Sequence, residues 1–226
     1  MPGKRVRVLK YRDLKKIQTG TSQEPLVSLN AFCPDIACCY QKRDMYKYLG
    51  NQILVRKRLA GKLGRANLQL GKLLPGAKLR IVYGYRHPEV QKKYFDRIMK
   101  EISGKYKRLG QNQLIALAHN FVASPDVAGH TTGGAIDVTI EKNGRELNLG
   151  TRIADYSNPE KIKTFSRTIS QEQARLRKLL HDVLLKQGLA PFYGEWWHFS
   201  YGDREWACFY GKKRALYAEV DLRSPS

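Results

Sequence analysis

Two short segments of the chain carry the residues best suited to catalysis: GHTTGGAIDV at 129–138 and GEWWHF at 194–199. Together they contain two imidazoles, those of His130 and His198, and two carboxylates, those of Asp137 and Glu195. A catalytic zinc ion takes three protein ligands and keeps its fourth position open for water or substrate. The four side chains can meet that need and leave one carboxylate free to move protons, so they indicate a hydrolytic zinc site.

The first segment places an imidazole and a carboxylate on either side of two glycines. His130 and Asp137 are seven positions apart (137 − 130), with Gly133 and Gly134 between them. The glycines permit unusual backbone angles, so the loop can fold back on the strand that carries Asp137. Asp137 has apolar neighbours, and burying it is costly unless it is paired or metal-bound. The alternative is that Asp137 accepts hydrogen bonds from the loop while His130 faces solvent.

The second segment holds Glu195 and His198 three positions apart, with Trp196 and Trp197 between them. On an ideal strand such positions face opposite sides, so a bend or bulge is needed to bring both to one metal. Glu195 need not bind the metal, because a nearby carboxylate can take a proton from water and pass it to a leaving amine. The paired indoles predict a pocket wall, with Trp197 facing the substrate; core packing is the alternative for at least one of them.

The residues at 135–141 alternate as in a strand, and further strands are predicted to position these segments. The predicted strands lie at six places, 78–85, 135–141, 145–149, 192–201, 205–210 and 215–220. The first of these strands delivers Arg86 at its end. Asn143 and Gly144 form a strong two-residue hairpin signal between the second and third.

Helical patterns occur at four places, 43–74, 88–103, 111–123 and 171–187. Glycines weaken the first pattern, so we expect breaks or two shorter helices there. Pro88 suits the first turn of the second helix. Ser170 and Gln173 form a capping box at the start of the last helix, and Gly188 ends it.

These elements predict an α+β fold with one domain, in which helices flank a small, mostly antiparallel sheet that carries the zinc site. Residues 1–42 read as a basic N-terminal arm packed on that domain, which spans 43–226. The four cysteines show no metal-binding spacing and are predicted to be reduced. No apolar run approaches the length of a transmembrane helix and no secretory signal is visible, so we expect a cytoplasmic protein.

The formal net charge is +21, which favours contact with polyanions. Nucleic acid, an anionic cell-wall polymer and a membrane surface are the candidate partners. Lysines and arginines are spread along the chain, however, and no nucleic-acid-binding signature is present. We therefore expect no specific nucleic-acid partner, and a solvated basic surface is the simpler interpretation.

Several motifs together resemble the zinc D-Ala-D-Ala dipeptidases related to VanX, within the metallopeptidases that cleave D-alanyl-D-alanine. GHTTGGAID is similar to the SxHxxGxAxD motif of that family, and EWWH to its ExxH motif. YGYR at 83–86 is similar to the segment that follows a buried strand in the family, and NGRELNLGT at 143–151 to its hairpin. The resemblance covers about residues 43–210.

The resemblance implies one zinc ion per chain, bound by His130, Asp137 and His198. It implies that Glu195 is the general base and acid, and that Arg86 stabilises the oxyanion. A guanidinium suits that role because it keeps its charge and offers fixed donors. The implied reaction is hydrolysis of D-Ala-D-Ala to D-alanine.

Two departures from the family motifs bear on the substrate. Ala128 stands where the motif usually has serine, and the segment LGTRIAD has one extra residue before its aspartate. Asp155, which the resemblance implies holds the free amine of the substrate, consequently falls one position after the aligned Ala154. If Asp155 cannot reach the substrate, longer peptides become suitable.

Two rival functions follow from the same residues. One is a D,D- or L,D-carboxypeptidase or endopeptidase that acts on peptidoglycan stem peptides. The other is a non-catalytic, zinc-stabilised module that binds an anionic polymer. Glu195 argues against the module, because a structural metal site has no use for a general base.

Overall fold

A mixed sheet of six strands forms the centre of the molecule in a computed structural model that describes residues 7–222. Its strand order is β2-β4-β5-β8-β7, with β6 paired to β5, and a separate antiparallel pair joins β1 to β3. The strands are β1 (Leu26–Ser28), β2 (Ala37–Cys38), β3 (Leu54–Arg56), β4 (Ala77–Tyr83), β5 (Ala135–Lys142), β6 (Arg145–Glu146), β7 (Ala190–Pro191) and β8 (His198–Ser200). Apart from the parallel β2–β4 pair, all pairings in the central sheet are antiparallel, as the sequence predicts.

Helices are distributed along the described part of the chain. They are α1 (Tyr11–Leu14), α2 (Leu29–Phe32), α3 (Tyr46–Leu49), α4 (Lys57–Leu73), α5 (Pro88–Lys105), α6 (Gln111–Ala118), α7 (Pro159–Ile162), α8 (Gln171–Lys186) and α9 (Arg204–Phe209). The fold is a single α+β domain, which confirms the predicted class. Among residues 7–222, no helix combines the length and apolar character that crossing a membrane requires.

The main core lies where the central sheet packs against α4 and α8. Its fully buried side chains come from all three elements and include Leu59, Leu63, Leu70, Ile136, Val138, Ile140, Leu180, Val183 and Leu184. Burying each such side chain contributes about 1.5–3 kcal/mol. This packing fixes the position of β5, the strand on which the candidate site is built.

Local signals predicted several boundaries well. Pro88 is the first residue of α5. The Ser170 side chain accepts a hydrogen bond from the Gln173 backbone and caps α8, and Gly188 follows that helix with φ 79°. At the β5–β6 hairpin, Asn143 and Gly144 both have positive φ (51° and 78°), as a type I′ turn requires.

Other predicted elements differ from the structure, α9 through a local cap and β3 through a non-local pairing. The region 205–210, expected as a strand, is helix α9, since Asp203 caps it by accepting a hydrogen bond from the Trp206 backbone. No strand forms over 215–220, and only 198–200 of the predicted 192–201 strand belongs to β8. Inside the helical pattern predicted over 43–74, strand β3 forms because it pairs with β1. The helix predicted over 111–123 is α6, which ends earlier, at Ala118.

The described part of the N-terminal segment packs on the rest of the molecule through two strands. β1 pairs with β3, and β2 adds a parallel edge strand beside β4. Residues 1–6 of the predicted basic arm lie outside the described residues. The division into an arm over 1–42 and a domain over 43–226 stays a prediction. All four cysteines are free thiols.

Candidate metal centre

Adjacent strands of the central sheet bring the two sequence segments together. Asp137 on β5 lies directly opposite His198 on β8. His130 precedes β5 in a single 3-10 turn over His130–Thr132, and Gly133 then turns the chain with φ 71°. A ligand atom from each of the three buried side chains lies within 4.8 Å of the others. The Asp137 Oδ1 atom is 3.1 Å from His198 Nδ1 and 3.4 Å from His130 Nε2.

Both imidazoles are fixed through the nitrogen that faces away from this group. His130 Nδ1 lies 2.7 Å from the Gly84 carbonyl oxygen, and the Arg86 backbone N–H donates to the His130 carbonyl. His198 Nε2 is 3.1 Å from Glu205 Oε2, although this contact lacks the geometry of a full hydrogen bond. Metal-binding histidines ordinarily have such a carbonyl or carboxylate behind them. The residues therefore fit a metal ion held by three side chains.

The group combines an ionised carboxylate with one imidazole that favours its neutral form and one that favours its protonated form. Burial would raise the pKa of Asp137, but the two imidazoles outweigh it and hold that pKa below its usual range. Burial lowers the pKa of His130 and so favours the neutral imidazole. Burial would lower the pKa of His198 too, but the Glu205 and Asp137 carboxylates outweigh it and raise that pKa above its usual range. An ionised carboxylate and neutral imidazoles are the forms that bind zinc, so zinc binding would release a proton from His198.

Glu195 lies beside this group because the chain turns twice between β7 and β8. The Glu195 backbone N–H donates to the Phe192 carbonyl, and the His198 N–H donates to the Glu195 carbonyl. This is the bend that the three-residue spacing requires. The Tyr156 hydroxyl donates to Glu195 Oε1 at 3.1 Å. Burial raises the pKa of Glu195 to about 7, so the carboxyl group is suited to accept and return a proton near neutral pH.

Arg86 lines the same cleft as Glu195 and the His/Asp/His group. One guanidinium nitrogen donates to Gln91 Oε1 at 2.8 Å, and the guanidinium carbon lies 4.4 Å from the centre of the Tyr83 ring. Gln91 is fixed in turn by a hydrogen bond to the Ala123 carbonyl. Arg86 Nε is buried without a hydrogen-bond partner.

Asp155 and Trp197, the two predicted substrate contacts, do not line this cleft. Asp155 accepts a hydrogen bond from the Ser157 backbone in an exposed turn. Trp197 is 1% exposed and packs edge-on against Trp196 in the core. Ala154, with φ 57°, borders the cleft in place of Asp155. The positions of Asp155 and Trp197 therefore give no support to a substrate contact.

Sequence reasoning missed three side chains that contact the predicted site residues. Tyr156 contacts Glu195, Gln91 contacts Arg86 and Glu205 contacts His198. For Glu205 the sequence holds a signal of its position only: an aspartate at 203 followed by an acidic residue two positions later is typical of a helix start. The other two contacts come from distant segments and left no local signal.

A buried His/Asp/His group with the Glu195 carboxylate in the same cleft is the arrangement that a metal-dependent hydrolase requires. Residues 38–216 match the Peptidase M15 family, described as D-ala-D-ala dipeptidase. The chain belongs to this family and is a metal-dependent peptidase. A curated D-alanyl-D-alanine dipeptidase from Synechocystis sp. is 26% identical over 205 residues, which cover 80% of this chain and 79% of the relative.

Matches among solved structures include two other peptidases. The LD-carboxypeptidase LdcB is 22% identical with a TM-score of 0.49, and the match covers 85% of this chain and 80% of that chain. The D,D-pentapeptidase VanY, solved with Zn(II), is 20% identical with a TM-score of 0.41, covering 75% and 85%. The predicted anionic polymer partner gains no support from these comparisons.

Proposed function

We propose that the chain is a zinc-dependent D,D-dipeptidase that hydrolyses D-alanyl-D-alanine to D-alanine. The observation that carries this proposal is the buried group of His130, Asp137 and His198 with Glu195 and Arg86 in the same cleft. Its donor set of two imidazoles and one carboxylate matches catalytic zinc sites. Membership of the D-ala-D-ala dipeptidase family and the curated relative support the substrate.

The roles of the side chains follow from their positions. His130, Asp137 and His198 would hold the zinc ion, which would supply Lewis-acid chemistry at the scissile carbonyl and the attacking water. Glu195 accepts a proton as water attacks that carbonyl, and returns the proton to the departing amine. Tyr156 orients the Glu195 carboxylate through its hydroxyl. Arg86 donates hydrogen bonds to the carbonyl oxygen as negative charge develops on it.

A carboxypeptidase that acts on peptidoglycan stem peptides is the second candidate. One observation favours it: the carboxylate expected to hold a free amine, that of Asp155, lies outside the cleft. Without such an anchor, a substrate whose amine is blocked by an acyl group or a longer peptide would bind equally well.

Comparing D-Ala-D-Ala with N-acetyl-D-Ala-D-Ala separates the two candidates. A dipeptidase is expected to cleave the free dipeptide with the higher kcat/KM, because a lost charged contact to the amine costs about 1.5–3 kcal/mol, or roughly 10- to 150-fold. Equal or faster cleavage of the acetylated peptide would contradict the dipeptidase proposal and favour the carboxypeptidase. Cleavage of neither peptide by zinc-loaded protein would contradict both substrates.

A further inference from the structure

Two tyrosine rings contact the guanidinium group of Arg86 in the candidate catalytic cleft. The guanidinium carbon lies 4.4 Å from the centre of the Tyr83 ring and 5.5 Å from the centre of the Tyr94 ring. At both distances a cation is attracted to the face of an aromatic ring. The two rings therefore help to set where the Arg86 guanidinium can lie.

A single carboxylate, that of Asp44, joins the two rings. The hydroxyl groups of Tyr83 and Tyr94 both donate to its Oδ2 atom, the first at 2.9 Å. Tyr83 ends β4 and Tyr94 lies on α5, so Asp44 fastens a strand to a helix at this point. Burial and the Asp44 carboxylate raise the pKa of both phenols, so each stays a neutral donor. Hydrogen bonds to a carboxylate are stronger than those between neutral groups.

Asp44 lies behind the rings and does not line the cleft. It comes from the segment between β2 and α3, and its Oδ1 atom is buried with no hydrogen-bond partner among residues 7–222. A buried carboxylate oxygen without a partner is costly and requires an explanation. Its surroundings give an electrostatic one, because the negative charge polarises two hydroxyl groups whose rings contact a guanidinium.

The two rings depend on Asp44 to different degrees. Tyr83 is buried, and its ring lies edge-on to the rings of Tyr40 and His130, with 5.5 Å between ring centres in each case. Tyr94 is only half-buried, so its position depends more on the hydrogen bond to Asp44. Loss of the Asp44 carboxylate would therefore free the Tyr94 ring first.

We propose that Asp44 is a positioning residue for Arg86: it fixes the Tyr83 and Tyr94 rings, and the rings fix the guanidinium that stabilises the oxyanion. This inference rests on the proposed peptidase function, in which Arg86 acts on charge that develops in the transition state. Asp44 acts through the rings and contacts no substrate. Without it, Gln91 still holds one guanidinium nitrogen, so Arg86 becomes less well placed but stays in the cleft.

The first test measures hydrolysis of D-Ala-D-Ala by Asp44→Ala, which removes the acceptor that the two hydroxyl groups share. Its kcat is expected to fall about tenfold while KM stays within about twofold of the wild type, because a misplaced oxyanion donor is felt mainly in the transition state. Asp96→Ala is the matched control and should keep the wild-type kcat, since this exposed aspartate of α5 pairs with Lys92. A wild-type kcat in Asp44→Ala would overturn the proposal.

The same substitution in an Arg86→Met background separates positioning from general damage. There, Asp44→Ala is expected to change kcat by less than about twofold, because the group that Asp44 positions is already gone. A further loss of about tenfold in that background would show that Asp44 acts independently of Arg86, and would overturn the proposal. If Asp44→Ala does not fold, Asp44→Asn replaces it in both backgrounds, with an expected loss of about threefold in the presence of Arg86 and none in its absence.

A measurement without substrate keeps this inference separate from the proposed function. Arg86 Nε is buried, so its N–H is expected to exchange slowly with water in NMR spectra, and the signal is assigned by its absence from Arg86→Met. Exchange should be about tenfold faster in Asp44→Ala and unchanged in Asp96→Ala. An unchanged rate in Asp44→Ala would overturn the positioning role whether or not the protein hydrolyses the dipeptide. If the wild type hydrolyses nothing but exchange rises as expected, the proposed function fails and the positioning of Arg86 by Asp44 stands.

Discussion

At the scale of single residues, the candidate site is defined as much by the groups behind the predicted ligands as by the ligands themselves. Gly84 fixes His130 through its carbonyl oxygen, and Glu205 lies against His198. These contacts select which imidazole nitrogen faces the metal. The identities of His130, Asp137 and His198 were accessible from sequence because their types and spacing suit zinc. For Glu205 the sequence signals only a helix start, because its role behind His198 depends on a contact between two elements.

Replacing Glu205 with glutamine is expected to weaken zinc binding by about 10- to 100-fold, because a neutral amide holds the His198 imidazole less firmly and does not raise its basicity. The measurement is zinc affinity by competition with a chelating dye. Glu160→Gln, an exposed carboxylate on α7, is the control and should bind zinc like the wild type. Unchanged affinity in Glu205→Gln, with the fold intact by circular dichroism, would show that Glu205 does not position His198.

At the scale of elements, those with strong local signals could be predicted and those set by distant partners could not. The capping box of α8, Pro88 at the start of α5 and the Asn-Gly hairpin each specify their own geometry over a few residues. β3 forms because β1 lies beside it. α9 is an exception, since its cap, Asp203, is a local signal that the strand prediction overlooked. The residues at 206–210 form a short continuous run of apolar and aromatic side chains, which is equally compatible with a strand and with a short helix.

Substituting Ser170 with alanine is expected to lower the free energy of unfolding by about 1 kcal/mol, because the Gln173 backbone N–H loses its capping partner. Urea denaturation of the metal-free protein measures the change. Ser103→Ala, inside α5, provides the comparison, since that serine donates only to a carbonyl of its own helix. Peptide hydrolysis should be unaffected in both variants. A loss in Ser170→Ala no larger than in Ser103→Ala would contradict the capping role.

At the scale of the whole molecule, the fold class and the central arrangement followed from sequence, while the shape of the cleft did not. The predicted α+β domain is confirmed, and the two motif-bearing segments meet at adjacent strands. The walls of the cleft come from segments far apart in the chain, including Lys42, Arg97 and Tyr156. No spacing rule relates such positions. For the same reason the excess of positive charge, +21 overall, gave no indication of which cations line the cleft.

The most direct test of the central claim is release of D-alanine from D-Ala-D-Ala by the purified protein, before and after chelation and with zinc restored. The structure predicts release that a chelator stops and stoichiometric zinc revives. It also predicts a loss of at least about 10²-fold in Glu195→Gln, because the proton acceptor is removed while zinc binding is kept. Zinc-loaded protein that leaves the dipeptide intact, or release that persists after the metal is removed, would contradict a zinc-dependent dipeptidase.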